Sequence, residues 1–480
     1  MSVKKKAIKG IKWTALSSAV NAVLQLGQLM VLTRYLSAHD FGLIAILSVV
    51  VNFSQLFVDF GLSKAIIYKQ KITHEQLSTL YWLNIILGVF VFLVIALTAK
   101  YIALFYTEPL LHVSIIITAS ALIIQSFGQQ FRTLFQKELQ FSILAKIDIF
   151  SATISFIFLV IFVMLGFGIY AFIFPMLLMV LTKAVLLVWY GRKEHSPELL
   201  LKVNDVKDFF SFGAYSVGDD IVNTIVSQMD IIIIGKLLGT ESLGIYNIIK
   251  ELILRPAQLI NPIITKVSFP AMAKVNSDLL QVKQMYLKVI NYVASVNFPV
   301  YVASFLLAPE IITIFLGEKW LVGIPIFQVL ALWAFIRSVG NPVGSLIMAV
   351  GKPQRAMYWN IMMLVYTPLQ LYVSSQWGLI GIAWGNVFSM ILLFVPGWYF
   401  LIYKLCRAKL YEYIGSFFMP LVISSSVGII VYMILKVYDG GLIYNMSISI
   451  FVGMILLYIL NKKYNKDFYN IVISLLRRGK

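Results

Sequence analysis

Apolar residues fall along this chain in blocks of about twenty, and short polar interruptions separate them. A block of that length crosses roughly 30 Å of hydrocarbon as a helix, with every backbone group bonded inside its own segment. Fourteen such blocks can be read, at 12–33, 43–62, 79–99, 111–130, 143–165, 168–190, 213–235, 244–265, 289–307, 321–346, 357–376, 379–402, 416–435 and 442–460. The short alternating segments of a membrane barrel are not seen. The pattern therefore predicts an all-α membrane protein of about 14 transmembrane helices.

The charges say which way the helices run. With the amino terminus inside, 31 of the 39 Lys and Arg residues fall on inside segments or, as Lys12, Lys146 and Lys183 do, toward the inner ends of the spans beside them. Only Arg34, Lys100, Lys236, Lys319 and Lys436 fall outside. That bias obeys the positive-inside rule and predicts that both termini are cytoplasmic. The net charge of +18 is thus topological, and no nucleic-acid partner is expected. The first block follows Lys4, Lys5, Lys6 and Lys9 as a secretory signal would. It is too long and too often interrupted by amides for that role, so the start is expected to stay attached. Composition agrees: 60% of the 480 residues are hydrophobic and 12% charged, about half the usual charged fraction. A single cysteine, Cys406, excludes an internal disulfide.

A weak internal repeat appears at an offset of 202 residues. Arg34 to Leu43 faces Lys236 to Ile245, pairing Leu36 with Leu238, Gly42 with Gly244, and Asn21 with Asn223. Six spans separate the copies, and an even number preserves direction, so two parallel six-helix lobes are expected. Residues 1–190 form the first lobe, 191–212 an inter-lobe linker and 213–403 the second lobe. Residues 404–480 form an appended helix pair with a basic tail, amphipathic enough to lie on the inner surface.

Polar residues inside the spans point to a central cavity. Thr14, Ser18, Asn21, Gln25 and Gln28 share one face of the first span, and Ser48, Asn52, Gln55 and Asp59 one face of the second. The seventh carries Asp219, Asp220, Asn223, Ser227 and Asp230; the eighth carries Asn247, Lys250, Glu251, Arg255, Gln258 and Asn261. Asn and Gln also serve as hydrogen-bonding glue between packed helices. Charges are costlier, roughly 2.5–3.5 kcal/mol each at a span centre, so they favour a polar lumen. Glu251 and Arg255, four apart, can pair. Arg337 and Asn341 lie one turn apart in the tenth span. No P-loop, metal-ligand spacing or catalytic triad is visible, so neither an enzyme nor a cofactor is expected. Two related lobes around a charged lumen indicate a secondary transporter.

Several strings then resemble the Wzx-type polysaccharide flippases of the multidrug/oligosaccharidyl-lipid/polysaccharide (MOP) exporter superfamily, in the colanic-acid and teichuronic-acid branch. They include Phe41-Gly42-Leu43, Asp59-Phe60-Gly61, Tyr81-Trp82-Leu83-Asn84, Gly128 to Arg132, Gln136 to Leu139, Asn261 to Thr265, Phe269-Pro270-Ala271, Gly317 to Trp320 and Arg337 to Pro342. The resemblance implies the MOP flippase fold in a bacterial cytoplasmic membrane. It implies alternating-access transfer of an undecaprenyl-diphosphate-linked oligosaccharide to the outer leaflet, with a polymerase and glycosyltransferases as partners. Lys250, Arg255 and Arg337 would then meet the diphosphate, among Asn21, Gln25, Asn52, Asn223 and Asn341. Asp219, Asp220, Asp230 and Glu251 would be candidate proton or sodium sites, and Arg34 and Lys236 a candidate outer gate. A multidrug antiporter or a peptidoglycan-precursor flippase is the alternative.

Overall fold

The computed structural model describes residues 3–59, 61–69, 72–193, 195–202, 207–437 and 440–478. Regular structure among them is helical throughout. Cα packing divides the chain into two compact units, Met1–Gly244 and Ile245–Lys480.

The first unit holds α1 (Val3–Tyr35), α2 (Ala38–Asp59), α3 (Leu62–Tyr68), α4 (His74–Tyr106), α5 (Pro109–Lys137), α6 (Phe141–Met164), α7 (Tyr170–Gly191) and α8 (Lys207–Leu237). Their ends follow from local chemistry. Thr73 caps α4 by accepting from the Gln76 amide while the Gln76 side chain returns the bond, and Pro109 opens α5 where its missing N–H costs nothing. Helix α5 is central, packed on α4 and α7, with Phe131 and Phe135 fully buried against Tyr81, Ile147 and Leu187. Helix α8 packs on α2 and α3 within this unit.

Helix α9 (Gly239–Lys274) leads into the second unit. It continues with α10 (Leu279–Leu306), α11 (Ala308–Phe315), a 3-10 turn (Glu318–Gly323), α12 (Ile324–Ser338), α13 (Val343–Ala349), α14 (Gln354–Ser375) and α15 (Gly378–Leu392). Then come α16 (Phe394–Gly397), a π turn (Trp398–Tyr403), α17 (Lys404–Cys406), α18 (Leu410–Val437), α19 (Leu442–Tyr464) and α20 (Lys466–Arg478). Helix α10 is capped by Asp278, which accepts from the amides of Leu280 and Gln281 at 2.9 and 3.3 Å. Those bonds, with one from the Gln281 side chain, hold its carboxyl below the usual range.

Among the described residues, ten helices or joined segments are long and apolar enough to cross a membrane, and a pair bent by 46° between Leu392 and Phe394 makes eleven. Helices α8, α9 and α14, with 31, 36 and 22 residues, match the seventh, eighth and eleventh predicted blocks but are more polar. The tenth block departs from expectation. It is one apolar stretch, Glu318–Ala349, yet the helix stops at Ser338 and restarts at Val343. Gly340 and Pro342 sit in the gap, and both end helices cheaply.

Candidate functional site

The charged cluster expected on α9 is present. Arg255 donates to the Glu251 carboxylate one turn earlier, and its guanidinium is only about one-fifth exposed. Lys250, beside them, lies 5.9 Å from the ring of Tyr246, whose hydroxyl accepts from Asn386 at 2.9 Å. Pro256 follows Arg255, and Pro262 and Pro270 follow within the same helix. Each proline removes one backbone N–H from the helix's own hydrogen-bond ladder. Further along, Asn297 of α10 donates to buried Asn261 at 2.9 Å. That amide pair acts as packing glue.

Arg337 occupies the last turn of α12, at the break. The residue is exposed and its guanidinium stacks 5.0 Å from the Trp333 ring. A cation there meets the negative end of the α12 dipole, a favourable place that an unbroken span would not offer. Asn341, also exposed, lies in the gap itself. Irregular backbone at membrane depth persists only where protein or a watery cavity surrounds it.

In the first unit, Asn52 and Asn223 are exposed on their helices, as is Gln25, whereas Asn21 donates back to Ser17 of its own helix at 2.9 Å. Asp220 is half-buried; Asp230 is buried and accepts from the Ile231 amide at 3.0 Å. The Asp219 side chain lies outside the described residues.

At one end of this unit, α2 and the start of α9 meet backbone to backbone. A Cβ on Gly42 would stand 1.9 Å from the Thr240 carbonyl oxygen, and one on Gly244 would stand 1.8 Å from that of Ala38. Ala38 with Thr240, and Gly42 with Gly244, are both separated by the repeat offset, so the contact is reciprocal about a local two-fold. Glu108 ties the same place together: its carboxylate meets His39 Nε2 at 2.9 Å and accepts from the Thr240 hydroxyl. The nearby gate candidates differ. Arg34 is exposed, while the Lys236 ammonium donates to the Phe105 carbonyl at 2.7 Å and lies 4.8 Å from that ring.

Two polar networks escaped sequence reading because their members lie far apart along the chain. Asp148 accepts two bonds from Arg132, at 3.0 and 3.1 Å, with Lys183 at 3.6 Å. Asp59 accepts from Ser63 and Gln129, and Thr133 donates to Ser63 at 3.0 Å. A half-buried carboxylate with two cations is a satisfied structural node. The sequence clue was the placement of Arg132, Asp148 and Lys183 near the same ends of three consecutive spans.

The fold defines a class: a multi-span helical membrane protein with the architecture seen in solved structures of MOP-superfamily transporters. The solved structure titled "Lipid II flippase MurJ, inward closed conformation" superposes with a TM-score of 0.78 at 14% identity, covering 95% of this chain and 99% of that one. Residues 31–325 match the polysaccharide biosynthesis protein family, and the chain belongs to that family. It is 33% identical to the teichuronic acid biosynthesis protein TuaB of Bacillus subtilis, over 90% of this chain and 89% of that one. It is 30% identical to the lipopolysaccharide biosynthesis protein WzxC of Escherichia coli, with the same two coverages.

Proposed function

We propose that this protein moves an undecaprenyl-diphosphate-linked oligosaccharide from the inner to the outer leaflet of a bacterial cytoplasmic membrane, by alternating access, for cell-surface polysaccharide synthesis. The observation that carries the reading is Arg337, a cation at the broken end of a spanning helix. A diphosphate cannot cross hydrocarbon unaided, and an arginine fork holds phosphate oxygens through two hydrogen bonds at once. Lys250 and Arg255 extend the basic character; Asn21, Gln25, Asn52, Asn223 and Asn341 would meet sugar hydroxyls. Asp219, Asp220, Asp230 and Glu251 are proposed proton or sodium sites. The relatives' names, which speak of teichuronic acid and lipopolysaccharide biosynthesis, support a glycan as cargo; in this reading glycosyltransferases build it on its lipid and a polymerase receives it.

The test is flipping of a fluorescent undecaprenyl-diphosphate oligosaccharide in vesicles holding the full chain. Two charge-assisted bonds at about 1.5–3 kcal/mol each are at stake, so Arg337→Ala should slow flipping by about a hundredfold or more. Arg337→Lys should recover part of the rate, because it keeps the charge and loses the fork. Wild-type flipping by a properly inserted Arg337→Ala protein would overturn the assignment.

A further inference from the structure

The first unit carries an apolar groove walled by α2, α4 and α8. Its larger part encloses about 700 Å3 among Phe53, Phe57, Leu87, Val91, Val94 and Ile225. An adjoining part of about 330 Å3 shares Val49, Val50, Thr98, Ile102 and Ile232 with it and continues to Phe105 and Tyr106. The two form one channel along α4. Its polar lining residues are few: Ser54 and Thr98, whose hydroxyls donate to Val50 and Val94 of their own helices at 2.5 and 2.9 Å, and Thr224 and Gln228 of α8 among otherwise apolar side chains. Phe90, Tyr101 and Phe105 on its rim are 60, 71 and 45% exposed, so the groove opens sideways from spanning helices into hydrocarbon.

Two features select the occupant. The first is length. From Leu87 to Phe105 the α4 wall runs about 27 Å at about 1.5 Å per residue. That is nearly the whole hydrocarbon core of roughly 30 Å, whereas one phospholipid chain reaches only to mid-bilayer, about half of that. The second is charge. Lys236 ends α8 at the Phe105 end of the groove, with its ammonium resting on the Phe105 carbonyl and ring. A phosphate there would find a cation already in place, with two further N–H donors on the same ammonium. Lipid tails surround the protein in any case, so the groove gains selectivity through shape rather than through hydrophobicity. A stiff, methyl-branched chain fills a continuous groove with more wall contacts and loses less freedom than a saturated acyl chain.

We propose that this groove seats the polyprenyl chain of the cargo, with its phosphate at Lys236. The proposal rests on the function proposed above. It places the lipid tail in the first unit, while the arginines assigned to the diphosphate during passage lie in the second. Lys236 is then the phosphate contact at one end of the path.

The experiment uses the full chain in nanodiscs of phosphatidylethanolamine and undecaprenyl phosphate bearing a mid-chain diazirine. Irradiation should cross-link peptides of α2, α4 and α8 that line the groove. Unlabelled undecaprenyl phosphate should compete, and a tenfold excess of phosphatidylglycerol should not. Filling the groove with Val94→Trp or Ile225→Trp should cut the cross-link yield at least fivefold. Lys236→Gln should weaken competition by undecaprenyl phosphate about tenfold and leave competition by uncharged undecaprenol unchanged. Equal competition by phosphatidylglycerol would mean ordinary lipid occupies the groove, and cross-links confined to other helices in the unsubstituted protein would also overturn the proposal. The two readings fail separately. Normal flipping by the tryptophan variants removes the groove and leaves the flippase standing. Groove labelling with normal flipping by Arg337→Ala removes the diphosphate assignment alone.

Discussion

Arg255 is the residue whose role is most divided, because Glu251 is within hydrogen-bonding reach one turn away. If the pair only neutralises itself, Arg255→Ala strands a carboxylate and should abolish flipping, while Glu251→Ala with Arg255→Ala should restore it. If Arg255 also meets phosphate, as proposed, the double variant stays at least about thirtyfold slow, the loss expected from one charge-assisted bond of about 2 kcal/mol. A vesicle assay of the three variants decides between them. Gly42 poses a different kind of question. A methyl group there would overlap the backbone of Thr240, which cannot step aside as a flexible side chain would. Gly42→Ala should therefore cost about 1–3 kcal/mol in thermal unfolding or force the helix ends apart. Separation would be read as faster thiol labelling of Thr240→Cys in a Cys406→Ser background. Unchanged melting together with unchanged labelling would show that the close approach is dispensable.

Among the elements, the segment 195–202 has the most local chemistry. It lies along the first turns of α4: the amides of Glu198 and Lys202 donate to the hydroxyls of Ser78 and Thr79 at 3.1 and 3.2 Å, and Trp82 donates to the Glu198 carbonyl at 2.8 Å. Lys202 pairs with Glu75 at 2.6 Å. Buried His195 lies Nδ1 to Nδ1 with His74 at 3.1 Å. Burial first, and then the His74 charge, push the His195 pKa below its usual 6.5. The docked segment thus favours the neutral ring. Docking is at full strength above about pH 6.5 and is lost as pH falls through the lower docked value. Amide exchange at Glu198 and Lys202, corrected for intrinsic rates, should quicken from pH 7.5 to 5.5. His195→Phe should flatten that dependence. Equal protection at both pH values in the unsubstituted chain would rule the histidine out as the cause.

For the whole molecule, the prediction concerns sidedness, which sets the direction of transport. The distribution of Lys and Arg expects Lys319 outside and the 195–202 segment inside. With Cys406 replaced by serine, a cysteine at Lys319 should react with an impermeant thiol reagent in intact cells. A cysteine at Leu201, which is 56% exposed, should react only after permeabilisation. The reverse pattern would invert the assignment and with it the direction of proposed transport.

Much was determined by sequence alone. Helical spans of about twenty residues follow from apolar run length, because a bilayer leaves the backbone no other partner. The Glu251–Arg255 pair follows from a spacing of four, and family membership was legible in strings such as Phe41-Gly42-Leu43. What tertiary structure decided is of another kind. Hydropathy averages over a window, so it read 321–346 as one span and could not see the helix stop at Ser338 that sets Arg337 at a dipole end. The repeat marked Gly42 and Gly244 as equivalent, but only packing brings each against the other's neighbouring carbonyl. Arg132, Asp148 and Lys183 meet because three helices bring them together, and the groove of α2, α4 and α8 exists because distant segments leave a space between them. Periodicity reports what one helix presents along its own axis. Which surfaces then face each other is a property of the packed chain.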